Sequence, residues 1–265
     1  MWDTLRRHWP EYLMEGGGLG LFMVSACLVG IVLLHPASPL PHLIQHPLAV
    51  RALFGVAMGL TAIAIIYSPW GKQSGAHLNP SVTLTFFRLG KIAPWDTVFY
   101  VLAQFVGGTL GVLSMVLLSR GLVAHMSVNY VVTQPGPAGP WVAFLAEASI
   151  SFLLMAMVLV ATNTRRIAHL TGLFAGVMVA TYISLEAPLS GMSMNPARTF
   201  ASAFSAELWD FLWVYLIAPP LGMLLAAEVY LRVRGARRIF CAKLHHQNTK
   251  RCIFCQYHRT PPPVL

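Results

Sequence analysis

Long apolar stretches recur along the whole chain. Six segments of 16 to 21 residues carry almost no charge, and they cover residues 19–34, 48–67, 98–118, 141–161, 170–185 and 211–231. A helix that crosses the hydrocarbon core of a membrane needs about 20 mostly apolar residues, and its own backbone satisfies its polar groups. These segments are apolar on every face rather than along one stripe, which argues against a soluble helical bundle. The pattern predicts six membrane-spanning helices.

Two further apolar segments are too short to cross a membrane. Residues 79–90 and 195–206 each span roughly 18 Å as a helix, against a hydrocarbon core of about 30 Å. Both begin with the dipeptide Asn-Pro, at Asn79 and Asn195. The sequence therefore predicts two re-entrant half-helices that enter the membrane and stop near its middle.

The two half-helices belong to an internal repeat. The sequence GAHLNPS at residues 75–81 is matched by GMSMNPA at residues 191–197, and Glu15 in the first span has a counterpart in Glu147 in the fourth. Each copy holds three spans, so the second copy must enter the membrane in the opposite orientation. Inverted repeats of this kind place their special residues near the membrane midplane, where the copies meet.

The repeat defines the predicted organisation of the chain. We expect a first repeat over residues 12–120 and a second over residues 141–232, with an N-terminal segment, 1–11, and a basic tail, 233–265. Six spans place both ends of the chain on one side of the membrane.

The charge distribution predicts which side that is. The chain has 56% hydrophobic and only 10% charged residues, with a net charge of +9. Fifteen of the 18 basic residues fall on the side of the termini, and three fall on the other side. This positive-inside bias predicts cytoplasmic termini and accounts for the net charge without a nucleic-acid partner.

Each Asn-Pro pair has the chemistry of a helix start. Asparagine is a favoured N-cap, and proline suits the first helical position. We expect the side-chain oxygen of Asn79 to cap the backbone N–H of Val82 and that of Asn195 to cap Arg198, which leaves each amide nitrogen free as a donor. The helices then begin with Pro80, Ser81, Pro196 and Ala197.

The two helix starts also carry charge. A helix N-terminus has about half a positive charge, and here two N-termini face each other in a medium of low dielectric constant. Such a field repels cations and hydronium but not neutral molecules. Two amide donors would also hold the oxygen of a passing water, so that this water cannot relay a proton.

The paired loops resemble those of a known family. HLNPSVTL at residues 77–84 and MNPARTF at residues 194–200 are similar to the two conserved loops of the aquaporin, or major intrinsic protein, family. The resemblance covers about residues 10–232 and departs at Ser81, where the family usually has alanine. It implies a passive channel for water or small neutral solutes that excludes ions, assembled as a homotetramer in the plasma membrane. Helix dipoles exclude cations in such channels generally.

The resemblance also implies an outer constriction of four residues. Arg198 and Met192 come from the second loop. Span two offers Met58 or Gly59, and span five offers Ile183 or Tyr182. Methionine and isoleucine offer no hydrogen bond, which favours solutes with apolar faces. Glycerol, urea, peroxide and ammonia stay open beside water.

Two buried carboxylates admit two interpretations. Glu15 and Glu147 suit a proton relay, but their symmetric positions and the family resemblance favour acceptance of hydrogen bonds from the re-entrant loops. His77 is expected to act through its backbone carbonyl rather than its ring.

The tail holds a Cys/His pattern outside the resemblance. Cys241, His245, Cys252 and Cys255 form a candidate zinc-ligand set, and His258 follows. The alternatives are a basic segment on anionic lipid and an acylated cysteine. No other cofactor is expected.

Three functional classes remain in competition. A passive channel agrees with the half-helices, a secondary transporter also uses inverted repeats, and a metal-sensing membrane protein would work through the tail. An enzyme is not expected, because the sequence offers no nucleophile–base pair and no phosphate-binding loop.

Overall fold

The fold is known from a computed structural model that describes residues 1–235 and 239–255. The helices of the first repeat are α1 (Trp2–Leu34), α2 (Leu40–Leu43), α3 (Pro47–Tyr67), α4 (Pro69–Ser74), α5 (Pro80–Arg88) and α6 (Pro94–Leu118). Those of the second are α7 (Pro140–Thr162), α8 (Thr171–Leu185), α9 (Ala187–Ser190), α10 (Pro196–Ala206) and α11 (Leu212–Arg234). The all-helical fold class predicted from the sequence is confirmed.

Six of the helices in the described residues are long and apolar enough to cross a membrane. They are α1, α3, α6, α7, α8 together with the short turn before it, and α11. Each contains one of the six apolar stretches of the sequence. The short helices α5 and α10 lie within the half-helices expected at residues 79–90 and 195–206.

The first helix extends well beyond the first apolar stretch of the sequence. α1 begins at Trp2 and continues through Pro10, so the N-terminal segment is part of it. A proline removes one backbone donor, and a helix tolerates this where neighbouring contacts hold it. Here the His8 ring lies 2.7 Å from the carboxylate of Asp96, and the Tyr12 hydroxyl donates to the same oxygen at 2.5 Å.

The packing of the helices follows the inverted repeat. The pair α1 and α6 in the first repeat corresponds to α7 and α11 in the second, and α3 packs against α8 across the repeat boundary. Each half-helix packs on the opposite repeat, α5 on α11 and α10 on α6. The two repeats therefore enclose each other's half-helices.

Glycines allow the closest helix crossing. A Cβ atom built on Gly107 of α6 would lie 2.0 Å from the backbone oxygen of Gly16 in α1, and one on Gly111 would lie 2.5 Å from the oxygen of Gly20. Only glycine allows the two backbones to approach this closely. This crossing fixes α1, which carries Glu15, against the helix that carries Gln104.

Candidate functional site

The two half-helices begin at capped asparagines. The Asn79 side-chain oxygen accepts from the backbone N–H of Ser81 at 2.8 Å. The Asn195 oxygen accepts from Ala197 at 3.1 Å and from Arg198 at 3.3 Å. The expectation for Arg198 is confirmed, whereas that for Val82 is wrong because the Asn79 side chain bonds one residue closer to the cap.

The asparagine amides also join the two repeats. The Asn79 amide nitrogen donates to the backbone oxygen of Met194, and the Asn195 amide nitrogen donates to that of Leu78, both at 2.7 Å. The expectation of fully free amide donors is therefore corrected. Each amide carries two N–H groups, so one remains for a solute after the crossed bond is made.

The loops that precede the half-helices share an unusual backbone. Both contain residues with positive φ at matching positions, and these are Gly75, Ala76 and Leu78 in the first loop and Gly191, Met192 and Met194 in the second. A non-glycine residue in this region costs on the order of 1–3 kcal/mol unless its surroundings hold it there. Both loops therefore need external hydrogen-bond partners.

Glu15 supplies those partners in the first loop. Its carboxylate accepts from the backbone N–H groups of His77 at 3.0 Å and Leu78 at 2.7 Å. It also accepts from the Ser74 hydroxyl at 2.7 Å and the Gln104 amide at 3.0 Å. With both oxygens occupied in this way, the carboxylate supports the loop, which is the interpretation that the sequence favoured over a proton relay.

Glu147 repeats the arrangement in the second loop. It accepts from the backbone N–H groups of Ser193 and Met194, each at 2.7 Å, and from the Ser190 hydroxyl at 2.6 Å. Pro219 occupies the position that matches Gln104 in the repeat, so the fourth donor of the first loop has no equivalent here.

A cavity of about 460 Å³ runs past both asparagines. It extends from Asn129 and Gln134, in the connection between α6 and α7, to Leu244 in the tail. Asn79 and Asn195 lie on its wall. The half-helix starts and the loops before them are thus part of one passage between the two repeats.

The alternatives for the predicted constriction differ in their position relative to the cavity. Met58, Ile183, Met192 and Arg198 all line the cavity. Gly59 instead faces α8, since a Cβ on it would lie 2.5 Å from the backbone oxygen of Gly176. Tyr182 is likewise absent from the cavity wall.

Arg198 presents an unused donor to the cavity. Its Nη1 atom is buried and has no hydrogen-bond partner among the described residues. A buried guanidinium nitrogen needs an acceptor, and a solute in the cavity is placed to supply one. The arginine therefore adds positive charge and a hydrogen-bond donor to a wall to which Met58, Ile183 and Met192 contribute apolar side chains.

Sequence reasoning overlooked three buried acids, Glu11, Asp96 and Glu186. Glu186, at the C-terminal end of α8, is buried, and neither carboxylate oxygen has a hydrogen-bond partner among residues 1–235 and 239–255. Burial and the neighbouring Glu147 carboxylate raise the pKa of Glu186 to about 7. Its only signal in the sequence is a carboxylate directly after the fifth apolar stretch.

The Cys/His residues of the tail converge on one point. The ligand atoms of Cys241, His246, Cys252 and Cys255 all lie within 4.8 Å of one another. The prediction of His245 as the histidine of this set is wrong, because its ring packs against Tyr67 instead. His258 lies outside the described residues, as do residues 236–238.

The hydrogen bonds of the cluster favour the thiolate at Cys252 and the thiol at Cys241, because the bonds with Cys252 and Cys255 raise the pKa of Cys241 above its usual range. Hydrogen bonds from Cys241 and Cys255 lower the pKa of Cys252 well below its usual range. Burial lowers the pKa of His246, but its hydrogen bonds with Cys252 and Cys255 outweigh this and raise it to about 9. A thiolate is the form of cysteine that binds metal ions.

His77 connects the loop to the tail. Its ring contacts the Thr83 hydroxyl at 3.1 Å through Nδ1, and Nε2 donates to the backbone oxygen of Ala242 at 2.7 Å. The expectation that His77 acts only through its backbone is therefore corrected, because the ring carries a contact between the pore loop and the tail.

Comparison with known proteins identifies a matching family and related sequences. The profile of the major intrinsic protein family matches residues 7–230. The putative aquaporin NIP4-1 of Arabidopsis thaliana is 36% identical over 181 residues, which is 68% of this chain and 62% of that protein. Aquaporin NIP1-2 of the same plant is 35% identical over 196 residues, or 72% of this chain and 66% of that protein. The chain thus covers less than two thirds of these relatives.

A solved structure shares the fold. The aquaglyceroporin from Plasmodium falciparum superposes with a TM-score of 0.71 at 20% sequence identity, over 85% of this chain and 96% of that one. Together with the six apolar helices, this defines a multi-pass integral membrane protein built as an inverted repeat around a central cavity. The family match is specific enough to place it further: the chain belongs to the major intrinsic protein family.

Proposed function

We propose that the chain is a passive channel for water and small neutral solutes that excludes protons and other cations. The main support is the meeting of Asn79 and Asn195 on the wall of one cavity, at the N-termini of two half-helices. Two helix N-termini and Arg198 make this wall electropositive, so a cation loses hydration without gaining a counter-charge. A neutral solute is not opposed in this way.

The runner-up, a secondary transporter, has less support. Such a protein needs intramembrane acids that bind and release coupling ions. The carboxylates of Glu15 and Glu147 are instead occupied by loop donors. Flux through reconstituted protein should rise linearly with the solute gradient and should not depend on an ion gradient. Saturation at millimolar solute would favour the transporter.

The cavity wall supports a preference for solutes with apolar faces. Met58, Ile183 and Met192 contribute no strong hydrogen-bonding group, and Arg198 contributes one free donor. Glycerol, urea, peroxide and ammonia are small enough to leave part of their surface against such a wall. We therefore propose conduction of small neutral solutes of this kind beside water.

The replacement Met58→Phe should narrow the passage. We expect the ratio of glycerol to water permeability to fall by about tenfold, since misfit of a few atoms in a pocket costs on the order of 1–3 kcal/mol. Shrinking and swelling of proteoliposomes under glycerol and sucrose gradients gives this ratio directly. The matched control is Leu60→Phe, on the exposed face of the same helix. An unchanged ratio in Met58→Phe would remove Met58 from the constriction.

The membrane arrangement is also a proposal. We propose cytoplasmic termini, on the basis of the basic residues on that side, and residence in the plasma membrane as a homotetramer, on the basis of the family. A fluorescent fusion at the C-terminus tests orientation by its accessibility to protease in intact cells, and cross-linking in native membranes tests the tetramer. Cleavage of the fusion by protease in intact cells, or cross-linked species no larger than a dimer, would contradict these proposals.

A further inference from the structure

The tail contributes a residue to the wall of the cavity next to the first loop. Leu244 lies on the cavity wall together with Ala76 and His77 of the first loop. Its backbone N–H donates to the oxygen of Gly75 at 3.1 Å, and Ala242 accepts from the His77 ring at 2.7 Å. An apolar side chain that belongs to the tail and not to either repeat therefore forms part of the cavity wall beside the first loop.

Buried contacts hold the tail in this position. Lys243 is only 2% exposed, and its ammonium group donates to the backbone oxygens of Lys72 at 2.8 Å and Arg251 at 2.7 Å. The Arg251 guanidinium in turn lies 2.9 Å from the buried carboxylate of Glu11. A lysine is almost never fully buried without such partners. This degree of burial indicates that the tail packs in one specific position against the first repeat.

The aromatic ring of Phe254 makes a second contact between the tail and the first loop. It stacks on His77 with ring centroids 5.5 Å apart and an interplanar angle of 9°. A Cβ on Gly75 would lie 2.9 Å from the same ring. The tail thus meets the first loop through two separate stretches of chain, one at Ala242 to Leu244 and one at Phe254.

The Cys/His cluster connects these two stretches. Cys241 and His246 flank the stretch from Ala242 to Leu244, and Cys252 and Cys255 flank Phe254. The sulfur atoms of Cys241 and Cys252 are 3.5 Å apart, and the His246 Nε2 atom is 3.2 Å from the Cys255 sulfur. A single ion bound to all four residues would fasten both stretches at once.

The geometry of the cluster fits a tetrahedral metal ion. Zinc bonds of about 2.3 Å to sulfur and about 2.0 Å to nitrogen place neighbouring ligand atoms roughly 3.4–3.8 Å apart. The observed separations, all within 4.8 Å, need little adjustment to meet this. Three thiolates and one imidazole select zinc over calcium or magnesium, which prefer oxygen ligands.

We propose that Cys241, His246, Cys252 and Cys255 bind one zinc ion, and that the zinc-bound tail holds the channel closed by seating Leu244 in its inner end. The closure rests on the proposed channel function, whereas the zinc site does not. Removal of the ion leaves the two stretches joined by the intervening chain and by the hydrogen bond from Lys243 to Arg251. Leu244 then leaves the inner end of the cavity more often, and the passage opens.

The zinc site is tested by metal content. Full-length protein purified in detergent and supplied with zinc should retain about one ion per chain after exhaustive dialysis. Cys252→Ser should lose most of it, and so should His246→Gln. The matched controls are Cys27→Ala and His245→Gln, which should keep it. Equal zinc in Cys252→Ser and wild type, or a mass loss that shows a Cys241–Cys252 disulfide in the purified protein, would overturn the site.

The closure is tested by water permeability in proteoliposomes. A membrane-permeable zinc chelator should raise the wild-type permeability by roughly tenfold, since the ion stabilises only the closed state. Leu244→Ala should conduct at the chelated level while it keeps its zinc. That variant therefore distinguishes the effect of the Leu244 side chain on permeability from the effect of the metal ion.

The possible failures can be told apart. Permeability that is the same with and without bound zinc would overturn the closure, while the zinc site would stand on the metal content. Background permeability in both the chelated wild type and Leu244→Ala would overturn the channel itself and the closure with it. Raised permeability in Leu244→Ala but not after chelation would overturn the role of the metal.

Discussion

The replacement Asn195→Asp should make the channel leak cations. The Asn195 oxygen caps α10 through the N–H groups of Ala197 and Arg198, and aspartate is an equally good cap. The half-helix should therefore survive the change. The amide nitrogen that now donates to Leu78 would become a carboxylate oxygen on the cavity wall. A negative charge would then stand where the wild type presents only positive potential.

The size of the effect follows from Coulomb's law. A unit charge about 5 Å from a cation contributes roughly 3 kcal/mol at an effective dielectric constant near 20, which is about a hundredfold in rate. We expect proton and sodium conductance in Asn195→Asp to rise by that order. Water permeability should change far less, because water carries no net charge.

Proteoliposomes with an internal pH dye measure the proton flux, and osmotic shrinkage of the same preparation shows that the protein is folded. All of these measurements use the Leu244→Ala background, so that closure by the tail does not mask the leak. Gln134→Glu is the matched control, since it adds a charge to the cavity wall away from the half-helix starts. A proton flux in Asn195→Asp no higher than in the control would contradict the electrostatic barrier.

Glu15→Gln should collapse the first re-entrant loop. The Glu15 carboxylate accepts four hydrogen bonds, two of them from backbone N–H groups of the loop. Glutamine keeps one acceptor oxygen and turns a donor toward groups that are themselves donors. Each buried hydrogen bond to a charged group that is lost costs about 1.5–3 kcal/mol. We expect water permeability near background and a clearly lower thermal stability in detergent.

Size-exclusion chromatography after heating gives the stability of each variant, and osmotic shrinkage gives its permeability, with every variant and the reference in the Leu244→Ala background. Glu228→Gln is the matched control. Glu228 forms an ion pair with Arg88 at 2.7 Å, but both side chains are at least one-third exposed, so its loss should cost no more than about 1 kcal/mol. Wild-type permeability in Glu15→Gln would show that the loop holds its backbone without the carboxylate.

The parts of the site that could be predicted depend on local signals. The dipeptide Asn-Pro marks a helix start wherever it occurs in such a context, so the starts of α5 and α10 agree with the sequence. The apolar stretches likewise depend only on composition, and six spanning helices follow from them. The pairing of Glu15 with the first loop came from symmetry within the sequence, which the duplication makes visible.

The rest depends on contacts between distant segments. The bonds from Asn79 to Met194 and from Asn195 to Leu78 join residues more than 100 positions apart, and no local pattern shows them. The zinc-ligand set was assigned to His245 rather than His246 because spacing alone does not tell adjacent histidines apart. The position of Leu244 on the cavity wall could not be predicted from the sequence pattern, because the tail has no counterpart in the repeat.

The crossed asparagine bonds have the form of a contact between two equal partners. Each half donates from its asparagine to the loop of the other, and each receives the same bond in return. Reciprocal contacts of this kind are what a twofold axis produces in a symmetric dimer. The single chain therefore contains an interface of the kind that two identical subunits inserted in opposite directions would form, and each asparagine amide donates to an acceptor in the other half.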